Sequence, residues 1–137
     1  MNTPNYVYVA NGESKTKLLT EQVVHYAIQQ LMPKMKTLSV DVIYEENIPS
    51  LGYSLSIDSR EYEITVRNGM NYKDLVTTLL HEMVHIKQYA RKELIQKNVG
   101  EYLWKGVAIS KDIDYTDLPW EKDAYKMEKS LFRGFTS

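Results

Sequence analysis

The chain has 137 residues, 43% hydrophobic and 26% charged, with a net charge of −1. These values suit one globular domain over residues 1–137, and they supply no overall positive field to draw in nucleic acid or an anionic membrane. With no cysteine present, disulfides and thiolate metal sites are excluded, so any metal must be held by nitrogen and oxygen.

The opening stretch, Met1-Asn2-Thr3-Pro4-Asn5-Tyr6, lacks the basic and long apolar regions of a signal peptide. No segment approaches the apolar length of a membrane span. Together with the missing disulfide staples, this favours a soluble, cytoplasmic protein.

A short extended piece, Tyr6 to Val9, precedes the turn signal Asn11-Gly12. Thr20 is then placed to cap a helix whose apolar Val23, Val24, Ala27, Ile28 and Leu31 recur at helical spacing, and Pro33 stops it near Met32. The period next changes to two. Leu38, Val40, Val42 and Tyr44 alternate with polar residues, as do Tyr53, Leu55 and Ile57, and then Tyr62, Ile64 and Val66. The Asn47–Ser50 loop and the Asp58-Ser59-Arg60 turn are short, which makes an antiparallel meander the simplest arrangement. After Asn68-Gly69, Asn71 can cap a long helix with Asp74 at the third position, running to about Gln96 or Lys97. An irregular region with a short strand over Gly106–Ser110 follows. Asp117 and Pro119 then open a last helix through about Leu131. This order predicts an α+β fold, a small antiparallel sheet of three to four strands against the N-terminal and long helices.

The long helix carries His81-Glu82-Met83-Val84-His85. Residues four apart on a helix stand one above the other, so the two imidazoles can meet one ion at about 2.0–2.1 Å. Glu82 lies one residue round, beside that ion, where a carboxylate can take a proton from an activated water. On a helical wheel Leu75, Val76, Leu79, Leu80 and Met83 form one apolar stripe, and the histidines fall on a separate polar face with Gln88 one turn beyond. That face is expected to look into a cleft.

Catalytic zinc usually has a third protein ligand and one open position. His25, between Val24 and Tyr26, reads as a partly buried helix residue. Glu93 turns away from the pair, and Glu101, Asp112, Asp114 and Asp117 fall in loops. Glu121, in the first turn of the last helix, could be presented from a rigid element, or it could simply complement the helix dipole. Spacing leaves both open.

His81-Glu82-Met83-Val84-His85-Ile86-Lys87-Gln88, followed by Pro119-Trp120-Glu121-Lys122-Asp123-Ala124, resembles the small gluzincin-type metallopeptidases of the zincin superfamily. That group includes the minigluzincins and related phage or prokaryotic proteins. The resemblance implies a zincin-like fold, a zinc ion (Zn2+) on His81, His85 and Glu121, and Glu82 as general base in the hydrolysis of a peptide or protein substrate. It also implies an extended substrate along an exposed sheet edge, with Tyr62–Val66 the candidate strand. The Glu-x-x-x-Asp signature of larger gluzincins would place an aspartate where this chain has Tyr125, which leaves Asp123 as a possible orienting residue. A second donor to the developing oxyanion is open among Tyr102, Tyr115 and His25.

Two other readings compete. The domain could be a latent or non-catalytic zincin-fold interaction module, with the tail Phe132–Ser137 folded over its cleft. It could also be a nucleic-acid-associated peptidase of the SprT-like kind, against which stand the neutral balance and the lack of a dense basic run.

Overall fold

Four strands form one sheet in the computed structural model, which describes residues 5–110 and 112–137. Met1–Pro4, part of the stretch read above for a signal peptide, lie outside the described residues. The strands β1 (Tyr6–Val9), β2 (Ser39–Glu45), β3 (Gly52–Ser56) and β4 (Glu61–Arg67) stand in the order β1-β2-β4-β3. β1 with β2 and β2 with β4 are parallel, and only β3 with β4 is antiparallel. The sheet is therefore mixed, and the expected meander is wrong.

The reason lies in the side chains that face the core. Val40, Val42 and Tyr44 on β2, and Tyr62, Ile64 and Val66 on β4, are all buried. On β3 the register sets Gly52 opposite Val66, Ser54 opposite Ile64 and Ser56 opposite Tyr62. Directly opposed residues share a face, so β3 turns glycine and serines inward. Tyr53, Leu55 and Ile57, read as a core face, are exposed instead. A strand with so little to bury cannot hold the centre of a sheet and goes to the edge.

Helix α1 (Ser14–Leu31) crosses from β1 to β2, as a parallel pair requires. It starts six residues before the expected cap. Thr20 is buried within the helix, where its hydroxyl donates to Thr16 O and meets the Tyr44 hydroxyl. Helix α2 (Tyr72–Ala90) begins as read, with the Asn71 side chain accepting from Asp74 N–H at 2.8 Å, a cap worth about 1 kcal/mol. Leu79, Leu80 and Met83 are wholly buried against the sheet and α1. Truncating any of them to alanine costs about 2–5 kcal/mol.

α2 stops at Ala90 rather than near Lys97. Lys92 takes a left-handed φ of 58°, and Lys92 and Glu93 donate back to Tyr89 O and Gln88 O. Such a stop usually carries glycine. The chain then forms a second, antiparallel sheet of β5 (Leu94–Asn98), β6 (Glu101–Trp104) and β7 (Val107–Ser110), of which only the last had been expected. A short 3₁₀ turn, Tyr115–Asp117, leads into α3 (Pro119–Thr136), which has proline at its start as read and runs five residues beyond Leu131. Among the described residues, no helix is long and apolar enough to cross a membrane.

Candidate metal centre

Helix α3 lies against the face of α2 that carries the histidines. Trp120, Glu121, Ala124, Glu128 and Leu131 form its buried stripe, and the small Ala124, with no exposure, lets the two helices approach closely. The histidine face is thus a covered seam at the head of a cleft: His81 and His85 are each 7% exposed, Glu82 and Glu121 6%.

Both histidines converge on one carboxylate oxygen. Nε2 of His81 lies 3.0 Å from Glu121 Oε1, and Nε2 of His85 lies 3.2 Å from the same atom. His81, His85 and Glu121 offer ligand atoms that all fall within 4.8 Å of one another. Atoms held by one tetrahedral ion at about 2.0–2.2 Å stand roughly 3.3–3.6 Å apart. The two nitrogen–oxygen distances need to open by only a few tenths of an ångström.

The protons on the far side of each ring support the same fit. Nδ1 of His81 faces Glu128 Oε1 at 3.1 Å, and Nδ1 of His85 faces Gln88 Oε1 at 2.8 Å. The Gln88 amide nitrogen donates to Trp120 O and Asp123 Oδ2 at 3.0 and 2.9 Å, so its oxygen must be the atom turned to His85. Each Nδ1 therefore carries a proton. A neutral imidazole has only one, which leaves both Nε2 lone pairs aimed at an oxygen that is itself an acceptor. Either each ring takes a second proton or a cation sits among the three atoms. The donor set fits a divalent cation.

The electrostatics without an ion follow. Burial lowers both imidazoles, but hydrogen bonds to Glu121 and Glu128 outweigh it and carry His81 up to about 9. His85 is raised by Glu121 in the same way, against burial. Burial raises Glu121, yet its bonds to His81 and His85 hold it at about 2. Glu82 moves the other way. Its burial pushes the carboxyl above the ordinary range, against the pull of His85, His81 and Ser54.

Of the three candidates Tyr102, Tyr115 and His25, Tyr115 is the one beside the site. Local desolvation and the Glu121 carboxylate raise its hydroxyl, although the residue as a whole is exposed. With Ser50, Gly52 and Glu82 it lines the cavities on both sides of the centre. Tyr102 instead packs on Trp120 with ring centroids 5.2 Å apart, and His25, expected to be partly buried, is exposed on α1, away from both cavities. Of the loop acids, Glu93 pairs with Lys87 at 2.9 Å, and Glu101, Asp112, Asp114 and Asp117 are exposed outside the ligand cluster.

Three features correct the expectations about the surroundings. β4, carrying Tyr62–Val66, is bonded on both sides, so the free edge beside Glu82 belongs to β3. The tail continues α3, and Phe135 packs on Tyr26 at 5.3 Å instead of entering the cleft. Tyr125 covers the His81 ring at 4.6 Å, while the carboxylate that holds that ring comes from Glu128, which the sequence reading passed over. Its signal was present: Glu121, Ala124, Glu128 and Leu131 recur at helical spacing, and an acid in a buried stripe needs a partner. Asp123 does orient a histidine, through Gln88.

Compared with protein-family models, with curated proteins and with solved structures, the chain matches none. The chemistry of the site must be argued from its own residues.

Proposed function

We propose that this chain is a zinc-dependent metallopeptidase whose zinc is held by His81, His85 and Glu121, with Glu82 as general base. The observation that carries this reading is the meeting of both Nε2 atoms at one Glu121 oxygen beside a buried carboxylate, Glu82, that is not part of that cluster. Two imidazoles and a carboxylate, without thiolate, form a donor set typical of catalytic zinc. When bound, zinc would supply Lewis acidity and lower the pKa of a coordinated water to about 7.

The remaining steps belong to the protein. Glu82, with its proton affinity raised by burial, is suited to accept a proton and return it to a leaving amine. Tyr115 can direct its hydroxyl at a carbonyl oxygen as negative charge develops there. β3 offers unpaired backbone groups on its free edge, to which an extended peptide can add as a further strand. Ser54 and Gly52 keep that strand close to Glu82 because they present almost no side chain.

The test is Glu82→Gln, which preserves shape and removes the base. Peptide hydrolysis should fall by about 10²–10⁴-fold while zinc stays bound; unchanged cleavage would end the mechanism.

A further inference from the structure

Beside the centre, among the described residues, only one of the two Glu128 carboxylate oxygens has a protein partner. Glu128 is 6% exposed, and among the described residues its only hydrogen-bond partner is His81, through Oε1. Among the described residues no sealed side-chain polar atom lacks a partner, so the second oxygen, Oε2, is not sealed off, and Glu128 lines a cavity beside His81. That cavity has a volume of about 250 Å³, and its other walls include Leu51, Thr77, Thr78 and Tyr125.

The charges around it do not balance. Glu82, Glu121 and Glu128 carry three formal negative charges against either one divalent cation or two imidazolium rings. Both cases leave −1. Apart from His81, Glu82 and Glu128, every residue lining the cavity is uncharged. A desolvated excess charge of this kind is stabilised by a cation that brings its own hydrogen bonds.

The cavity also has a defined place along a bound chain. A Cβ on Gly52 would touch Thr78, whereas Ser54 faces Glu82, so β3 runs in the same direction as α2. A peptide adding to β3 in the antiparallel sense, the slightly more stable pairing, would run the opposite way. Its residues after the scissile bond would then lie toward Thr77 and Thr78. Those before it would lie toward Tyr53 and Trp120, which line the cavity on the His85 side.

Resting on the peptidase reading, we propose that this cavity is a specificity subsite for a lysine or arginine side chain immediately after the cleaved bond, with Glu128 Oε2 as its counter-charge.

Two readouts test it. In digests of a peptide library, wild-type protein should cut before Lys or Arg at least ten-fold more often than before Leu or Met. Thr77→Lys, which brings a competing ammonium into the cavity while leaving His81, His85, Glu121 and Glu82 unsubstituted, should remove that preference. Independently of turnover, the amide resonances of Thr77 and Thr78 in zinc-loaded Glu82→Gln protein are titrated with Nα-acetyl-lysine amide and Nα-acetyl-norleucine amide. The lysine compound should bind about ten-fold tighter, and Thr77→Lys should abolish the difference. Equal binding of the two, or cleavage before apolar or acidic residues, overturns the subsite. Lysine-selective binding with no cleavage of any peptide would leave the subsite standing and remove the peptidase reading.

Discussion

Glu128 holds His81 from the side opposite Glu121: its Oε1 lies 3.1 Å from Nδ1, while Glu121 Oε1 lies 3.0 Å from Nε2. The two glutamates stand seven residues apart on one face of α3, so in the proposed site a single helix supplies both a ligand and the group that fixes the opposing ligand's tautomer. An outer partner of this kind is typically worth 10–100-fold in metal affinity. Glu128→Ala should weaken zinc binding by that amount, whereas Glu128→Gln, which keeps an acceptor for Nδ1–H, should weaken it less. Competition with a chromophoric chelator measures both. Equal affinities in wild type and Glu128→Ala would remove this role.

The centre was legible in the sequence where geometry is local. Four-residue spacing on α2 was enough to bring the imidazoles together, and Asn71 announced where that helix begins. The third member of the cluster, Glu121, needed a contact 36 residues away in sequence, and spacing alone left it open. β3 shows how period-two alternation can mislead. Tyr53, Leu55 and Ile57 are the larger residues, but Gly52 faces Thr78 and the Thr65 carbonyl so closely that a Cβ would come within 2.9 Å of each. The inward face was set by the room beside α2, which no single strand's pattern records. The end of α2 was hidden for a different reason, because its left-handed residue is Lys92 rather than glycine. The hairpin turn at Lys105-Gly106, with φ of 49° and 85°, did carry a glycine signal, yet the strands it joins are too short for alternation to stand out.

Tyr115 provides a separable test of transition-state stabilisation. Its hydroxyl comes from a short turn just before α3, so removing it leaves His81, His85, Glu121 and Glu82 unsubstituted. Tyr115→Phe should lower kcat by about 10²-fold, the lower end for loss of one oxyanion donor, with KM and zinc content little changed. Steady-state kinetics together with metal analysis check this; unaltered kcat would move the donor role elsewhere.

The opposed shifts of His81 and Glu121 predict how stability depends on pH. In metal-free protein His81 is raised from 6.5 to about 9. A group whose folded value is the higher stabilises fully below its unfolded value and loses that contribution as pH rises toward 9. Glu121, lowered from 4.5 to about 2, contributes above 4.5 and loses its share as pH falls toward 2. The Tm of chelator-treated protein should therefore be highest between about pH 4.5 and 6.5 and decline toward pH 9. Zinc replaces the protons at Nε2, so the loaded protein should lack the alkaline decline. Parallel melting profiles with and without zinc would contradict the linkage.

One ion shared by two helices is the centre of the proposed mechanism, and zinc titration of wild type and Glu121→Ala tests it. The wild type should bind one zinc per chain, with X-ray absorption showing two imidazole nitrogens and carboxylate oxygen at about 2.0–2.2 Å. Glu121→Ala should lose more affinity than the roughly 10–100-fold expected of an outer partner. Wild-type affinity in Glu121→Ala, or no zinc uptake by wild type at any concentration tried, would contradict it.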